Sequence, residues 1–323
     1  MWHHLWEFLT EDSHEIQSSQ NSAASVASRP KLRIDLRREI VLVTGATGRV
    51  GRLVVDELLR ADVAVRALTR RPEKAALPPD VDVVLGDLTD PTTIDPALEG
   101  VAAIFLVWTA AQTTASDVIG RFAAERRHVV YLSSPHRTPH PFFQQPNPLR
   151  GLHAEIERLL NVSGLEPVIL RPGMFASNAR NWWAPQIRVG DVVRWPYAAA
   201  ETAPVDERDI AAVAARVLLE SRRAGGDYVL TGPESLSQED QVRAIGDAIG
   251  RPLLLEELSP DEFRRETAGT WPPAATEMLL NAWRATLGQP AFVTTSVQEI
   301  LGSAPRAFST WAADTASAFA RAV

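Results

Sequence analysis

From Glu39 onward, short hydrophobic runs rich in β-branched residues alternate with amphipathic stretches, and Gly, Pro or Asp marks most boundaries. Such alternation is typical of a parallel sheet that is covered by helices on both faces. The pattern therefore predicts an α/β fold, a Rossmann-type doubly wound parallel sheet. The predicted strands are residues 40–44, 63–69, 81–85, 101–107, 128–133, 167–171 and 227–231.

The chain after residue 235 shows helical stretches with clear starts, and no strand stands out. SLSQED and LSPDEF each place a serine before acidic residues, as at helix N-caps, and the second has a proline in its first turn. We expect a smaller, mainly helical C-terminal lobe. The predicted division is a Rossmann core at residues 39–175 and a substrate-binding lobe at residues 176–323, interleaved with the last core strands.

Residues 1–38 fit neither pattern. Apolar side chains near one face of a short helix precede a polar stretch, SSQNSAASVAS. Because isolated short helices are marginally stable, we expect a loosely ordered N-terminal extension, or a start codon placed too early, rather than a docking helix.

The composition excludes several classes of function. The 323 residues carry a net charge of −7, so no basic surface for nucleic acid is expected. The absence of cysteine excludes disulfides and thiol catalysis. The longest apolar run, at 101–108, is too short to span a bilayer, and the N-terminus lacks the features of a secretory signal. We expect a cytoplasmic protein whose partner is a small molecule, with no nucleic acid and no membrane partner.

The first predicted strand runs into a glycine-rich turn and a helix, IVLVTGATGRVGRLVVDELL. In the spacing G-x-x-G-x-x-G, Gly45 permits the tight turn, Gly48 lets backbone amides approach a pyrophosphate, and Gly51 allows close helix–strand packing. A merely structural turn fits less well, because further strand–helix units follow. The predicted dinucleotide contacts in this loop are Gly45, Thr47, Gly48, Arg49, Val50 and Gly51.

The end of the second strand bears on the cofactor type. It reads ALTRRPEK, with Arg70 and Arg71 in place of the carboxylate that binds the ribose hydroxyls of NAD, and no acid before Glu73. A guanidinium matches a 2′-phosphate. Arg70 therefore predicts NADP(H), with NAD(H) as the alternative if both arginines are only solvated.

Further cofactor contacts are predicted where later strands end, because ligands bind at the carboxyl edge of such sheets. Asp87 either accepts from the adenine amino group, with Leu88 beside the ring, or caps the next helix. Val107 is expected near the adenine-side ribose. Ser133 either binds the nicotinamide ribose or caps its strand, and Phe175 either lines the nicotinamide or packs in the core.

Several longer segments add a family resemblance. The chain contains VTGATGRVG, ALTRRP, GDLTD, VVYLSS, HAEIERLLNVSGLEPVILRPGMFASN, APVDERDIAAVAARVLLE and YVLTGPESLS. Together they resemble the NmrA-like family of atypical short-chain dehydrogenases/reductases, over residues 39–323. The resemblance implies a Rossmann core, a small C-terminal lobe and a substrate cleft between them. Members are NAD(P)H-dependent reductases of quinones and other small molecules, or redox sensors that bind the dinucleotide without turnover.

The usual catalytic pair of short-chain reductases, Tyr-x-x-x-Lys, is absent. The residues four positions after the three tyrosines are Pro, Glu and Gly, and no lysine follows Lys74. The resemblance instead places His153 close to the nicotinamide end, with Glu157 beside it one helical turn later. A pKa near neutrality would suit His153 for proton donation as the catalytic acid. The alternatives are that His153 only binds the ribose or rests at the helix surface.

The absence of the catalytic tyrosine also restricts the class of substrate, because the loss of a proton donor slows a reaction least when the product anion is delocalised. We predict an NADPH-dependent reductase of a small conjugated or aromatic carbonyl or quinone-like compound, as in secondary metabolism. A redox sensor with a protein partner is the alternative, and a non-redox cyclase or isomerase is a third option. No metal site is predicted, because prolines keep His136 and His140 from aligning on a helix.

Two aromatic-rich segments are expected near the cleft. The Pro-rich loop at 135–148 contains Phe142 and Phe143 and is expected to cover the cleft as a lid. Trp182, Trp183 and Trp195 either form walls for a flat ligand or pack between the lobes.

Overall fold

The computed structural model describes residues 39–220 and 225–321. The predicted N-terminal extension at 1–38 lies outside these described residues. Among the described helices, none is long and apolar enough to cross a membrane.

The hydrophobic runs form a central parallel sheet. In chain order the strands are β1 (Ile40–Thr44), β2 (Ala64–Thr69), β3 (Asp82–Leu85), β4 (Val101–Leu106), β5 (His128–Leu132), β6 (Val168–Pro172), β7 (Val192–Pro196), β8 (Glu201–Thr202), β9 (Asp227–Leu230), β10 (Leu236–Ser237) and β11 (Leu254–Leu258). Seven of them make the main sheet in the order β3-β2-β1-β4-β5-β6-β9, and every pair in it is parallel. The predicted fold class is confirmed.

Helices cover both faces of this sheet. In chain order they are α1 (Arg49–Arg60), α2 (Ala115–Ala124), α3 (Leu149–Val162), α4 (Asn178–Ile187), α5 (Glu207–Leu219), α6 (Gln238–Ala248), α7 (Pro260–Thr267), α8 (Pro273–Arg284), α9 (Ser296–Leu301) and α10 (Phe308–Asp314). Helices α1, α5 and α9 share one core, and α2 and α3 share the other. Strand β1 feeds both cores, because Val41 and Val43 face the first and Leu42 faces the second.

The C-terminal lobe has its own core, built from α4, α6, α7, α8 and α10 with an aromatic cluster. It also contains two small sheets, in which β7 pairs with β11 and β8 with β10. The expectation of no strand after residue 235 was therefore wrong. Strand β11 was missed because it pairs on one side only and stays largely exposed, so its sequence has no clear hydrophobic alternation.

Both predicted helix starts in this lobe are confirmed. The hydroxyls of Ser237 and Ser259 each accept a hydrogen bond from the main-chain N–H three residues later. In return, the carboxylates of Asp240 and Glu262 accept from the main-chain N–H of the two serines, which completes a capping box at each helix. The division of the chain near residue 175 stays a prediction, since β9 returns to the main sheet after the segment that begins the lobe.

Candidate cofactor and substrate site

The glycine-rich loop has the geometry of an anion cradle. Gly45 has φ +62°, which favours glycine, and a Cβ on it would lie 3.0 Å from the Val107 Cβ. A Cβ on Gly51 would lie 2.2 Å from the Gly45 carbonyl oxygen. Helix α1 begins after Gly48 with no side-chain cap and no acid in its first turn. Among the described residues, no side chain caps the first N–H groups of this helix, so they are available to bind a phosphate. The loop therefore fits the pyrophosphate of a dinucleotide.

The end of β4 lies directly beside this loop. The Thr44 hydroxyl donates to the Val107 carbonyl at 3.0 Å and accepts from the Val107 amide at 2.7 Å. Val107 therefore stands next to the loop, and its contact with the adenine-side ribose stays a prediction.

The two arginines after β2 are available for a ligand. Arg70 and Arg71 are exposed, and neither side chain has a hydrogen bond or ion pair within the described ranges. Arg52 fastens the following segment to the glycine-rich loop by donating to the carbonyls of Thr47, Ala75 and Ala76 at 3.1, 2.8 and 2.7 Å. The chain that carries Arg70 is thereby tied to the place where a dinucleotide phosphate fits.

The turn after β3 is ordered by its own side chains. The Asp87 carboxylate accepts from the Thr89 amide at 2.9 Å, whereas Asp90 caps the next helical turn, so the capping alternative for Asp87 is wrong. Leu88 is buried, with its side chain in the α2–α3 core. The adenine contacts of Asp87 and Leu88 stay predictions, and the burial of Leu88 counts against a side-chain contact.

Arg49 links the glycine-rich loop to the segment that follows β6. Its guanidinium hydrogen-bonds the Ser177 hydroxyl, which in turn donates to buried Glu207, and the Arg49–Glu207 ion pair measures 3.5 Å. Burial raises the pKa of Glu207, while the Ser177 hydrogen bond opposes the rise. The side chain of Arg49 is thus engaged, and its main-chain N–H stands at the anion cradle.

A cleft of about 220 Å³ opens where β5 and β6 end. The predicted residues Ser133, His153 and Phe175 meet in it. The glycine-rich loop, Arg70 and Asp87 do not line it. The other lining residues are Ser134, Pro135, His136, Phe142, Phe143, Gln145, Asn147, Leu149, Arg150, Pro172, Gly173, Met174, Asn178, Trp182, Met278, Leu279 and Ala282.

The Pro-rich loop at 135–148, which we call the lid for short, forms one wall of the cleft, and its closure over the cleft stays a prediction. Phe142 and Phe143 line the cleft with their rings edge to face, 5.2 Å between centroids. His140 contacts the Pro290 carbonyl at 3.1 Å, which holds the loop against the C-terminal lobe. Of the predicted tryptophans, Trp182 lines the cleft, whereas Trp183 and Trp195 are buried in the aromatic cluster.

The ring of His153 is held by Tyr131, a contact that their separation in the sequence does not suggest. The Tyr131 hydroxyl lies 2.8 Å from the His153 Nδ1. Burial, with the positive charge of neighbouring groups, lowers the pKa of His153 to about 4. The expected pKa near neutrality was therefore wrong, and the imidazole is uncharged at neutral pH.

Glu157 makes no hydrogen bond to His153 among the described contacts and belongs instead to a buried ion-pair network. Arg171 donates to both Glu157 oxygens at 2.6 and 2.8 Å and to both Asp227 oxygens at 2.6 and 2.9 Å. Ser133 donates to the same Glu157 carboxylate, and Arg137 from the lid lies 3.4 Å from it. Burial pushes the pKa of Glu157 upward, but these hydrogen bonds outweigh it and lower the pKa. Since the Ser133 hydroxyl is engaged, its ribose contact stays a prediction.

Comparisons with known proteins agree on the class of the molecule. A family model described as NAD(P)H-binding matches residues 45–221. The (4-alkanoyl-5-oxo-2,5-dihydrofuran-3-yl)methyl phosphate reductase of Streptomyces griseus is 37% identical over 288 residues, 87% of this chain and 99% of the relative. The NAD(P)H azoreductase of Xenophilus azovorans is 28% identical over 292 residues, 88% of this chain and 100% of the relative.

Solved structures show the same fold. The NADPH complex of the quinone oxidoreductase QOR2 from Escherichia coli has a TM-score of 0.70 at 24% identity, covering 86% of this chain and 98% of that one.

Within the described residues, no group of three or more His, Cys, Asp or Glu is arranged to hold a metal ion.

Proposed function

Since this chain belongs to the NAD(P)H-binding family and is an NAD(P)H-dependent oxidoreductase of the NmrA-like type, we propose that it reduces a small, flat, conjugated acceptor with NADPH as the preferred cofactor. A bound reduced nicotinamide is a hydride donor. The loop after β1 would hold its pyrophosphate, and the cleft between β5, β6 and the lid would hold the acceptor.

The observation that carries the proposal is the state of His153. Burial raises the pKa of Tyr131 far above its ordinary value, so its hydroxyl keeps its proton. We assign this hydroxyl as the donor to the His153 Nδ1, because its proton has no other acceptor among the described residues. A neutral imidazole that accepts at Nδ1 carries its hydrogen on Nε2. No described residue accepts from that Nε2, and His153 lines the cleft. The cleft therefore contains a fixed, neutral N–H donor.

A neutral donor suits some acceptors better than others. Hydride addition to a conjugated acceptor gives an enolate-like or phenolate-like anion, whose charge a preorganised N–H stabilises without proton transfer. An isolated ketone gives a localised alkoxide, which needs a proton from a strong enough acid. His153 with a pKa of about 4 is rarely protonated at neutral pH, so the cleft favours the conjugated class.

The walls of the cleft and the named relatives support the same class. Phe142, Phe143, Phe175 and Trp182 provide aromatic surfaces for a flat molecule. The dihydrofuran ring in the name of the Streptomyces relative carries an oxo group, an alkanoyl group and a methyl phosphate, and the name of the Xenophilus relative refers to an azo group, a further unsaturated acceptor. The preference for NADPH rests on Arg70, which is exposed, unpaired within the described residues and close to the loop.

The test is the oxidation of NADPH, followed by absorbance, with matched acceptors. An acyl butenolide, a naphthoquinone and an azo dye are compared with saturated ketones of similar size. We expect turnover of conjugated acceptors only, and we expect His153→Ala to lower kcat about 10²-fold. Tyr131→Phe should lower kcat less and move the acid limb of its pH profile upward, because the imidazole loses the donor that holds Nδ1 unprotonated. Equal rates with saturated ketones would refute the assignment, and tight NADPH binding without any turnover would favour a redox sensor.

A further inference from the structure

The cleft carries one permanent charge that the proposed chemistry does not use. Arg150, at the second position of α3, lines the cleft at its exposed mouth. No Asp or Glu lines the cleft. The two histidines among the lining residues, His136 and His153, both have a lowered pKa because of burial. The net charge of the cleft lining is therefore positive at neutral pH.

Arg150 also lacks any partner in the described part of the chain. Its side chain forms no hydrogen bond and no ion pair there, whereas Arg158 on the same helix is bound by Glu155 at 2.7 and 2.8 Å. An unpaired guanidinium beside apolar walls is suited to a ligand anion, because charge-assisted bidentate hydrogen bonds form best where little water competes.

A second donor lies close to Arg150. The Asn147 side-chain oxygen accepts from the Leu149 amide at 2.9 Å, and its main-chain oxygen accepts from the Arg150 amide at 3.0 Å. The amide NH₂ of Asn147, which also lines the cleft, has no acceptor among the described residues. Because Arg150 and His153 are spaced i, i+3, they are neighbours on one helix face, with Cβ atoms roughly 5–6 Å apart.

We infer that the cleft binds a substrate with a phosphate monoester a few bonds away from its conjugated ring, and that Arg150, helped by Asn147, binds this phosphate. The inference rests on the proposed function and adds the substrate class to it. The His153 N–H faces the reacting part of the substrate, and the guanidinium at the mouth faces its anionic end. A phosphate fits this site because its oxygens accept two parallel N–H bonds from one guanidinium, as those of a carboxylate also do. We choose the phosphate because the substrate in the name of the Streptomyces relative carries one beside its conjugated ring.

The inference can be tested by binding, without turnover. Naphthyl phosphate and naphthol are titrated by calorimetry into the full-length protein saturated with NADP⁺, so that the glycine-rich loop is already occupied. We expect naphthyl phosphate to bind more tightly than naphthol. Arg150→Gln should weaken naphthyl phosphate about 10- to 100-fold, as for loss of a charge-assisted hydrogen bond, and leave naphthol within about twofold. Arg158→Gln, on the outer face of the same helix, should change neither.

The outcomes separate the two proposals. If naphthyl phosphate binds no better than naphthol, or if Arg150→Gln weakens both ligands equally, the phosphate subsite is refuted even where conjugated acceptors are reduced. If the phosphate effect of Arg150 is present but no conjugated acceptor oxidises NADPH, the subsite stands as a binding site and the reductase proposal fails. With a phosphorylated acyl butenolide, Arg150→Gln should raise KM and leave kcat nearly unchanged, because the phosphate is bound equally before and during hydride transfer.

Discussion

Breaking the ion pair between Glu157 and Arg171 is expected to destabilise the fold strongly. Glu157 is fully buried and Arg171 is 2% exposed, and two hydrogen bonds of 2.6 and 2.8 Å join them. Glu157→Leu leaves the buried Arg171 guanidinium with the Ser134 carbonyl and a single carboxylate, that of Asp227, whose side chain is 50% exposed. Removing one partner of a buried pair costs about 3–5 kcal/mol, because the other charge stays desolvated.

The same helix provides a matched control. Glu155 pairs with Arg158 through two hydrogen bonds of similar length, 2.8 and 2.7 Å, but their side chains are 34% and 55% exposed. Glu155→Leu is therefore expected to cost less than about 1 kcal/mol. The two variants share the residue type, the helix and a pair joined by two hydrogen bonds, and they differ in burial and in the further bonds of the Glu157 pair to Ser133 and Asp227.

The assay is urea unfolding at neutral pH, with the double variant Glu157→Leu/Arg171→Met included. The double variant should cost less than the sum of the two single variants, since it removes both fully buried charges and leaves only the half-exposed Asp227 without its partner. The pKa of Glu157 is below its ordinary 4.5, so its contribution is present above pH 4.5 and is lost as the pH falls below it. Equal costs for Glu157→Leu and Glu155→Leu, or additive single variants, would show that burial of the pair does not control stability here.

Three further predictions concern the site. In the proposed mechanism His153 acts in its neutral form, so kcat should stay level at and above pH 6.5 and fall as the pH approaches 4. A decline of kcat as the pH rises through 6.5 would indicate an imidazolium acid instead. Arg70→Ala should weaken NADPH binding about 10- to 100-fold and leave NADH unchanged, and equal effects on both dinucleotides in titrations would contradict the phosphate contact. Gly51→Ala places a Cβ 2.2 Å from the Gly45 carbonyl oxygen and should therefore abolish dinucleotide binding. In the control Gly120→Ala, the new Cβ has no neighbouring atom within 4 Å, so this variant should bind the dinucleotide normally and unfold at a higher temperature.

Local features of the site could be predicted because they depend on nearby residues. The glycine spacing alone requires a tight turn at Gly45 and close packing at Gly51, and the structure has both. The parallel sheet with helices on both faces followed in the same way from the alternation of strands and helices, whereas the strand order came only with the structure. The arginines after β2 needed only the end of a strand to be located.

Contacts between distant elements could not be predicted from the sequence. Tyr131 has no lysine four residues later, and its hydroxyl instead contacts His153, 22 residues away on a different element. Arg171 is 14 residues from Glu157 and 56 from Asp227, and no spacing rule relates them. The low pKa of His153 depends on burial created by that packing, so a histidine expected to act as an acid is instead uncharged at neutral pH.

The spacing of His153 and Glu157 suggested two neighbours acting together, yet their roles separate along α3. Glu157 points into the core, where it joins Ser133 after β5, Arg171 in β6 and Arg137 in the lid. His153, one turn earlier, reaches the cleft, and its ring is fixed by Tyr131 in β5. Because both side chains are bound to β5 or the residue after it, the ion-pair network fixes the position of α3, and α3 fixes where the His153 N–H points. The charged side chains of Glu157 and Arg171 thus stay in the core, while His153, the proposed donor, faces the cleft uncharged. The network sets the direction of this donor by fixing the position of α3.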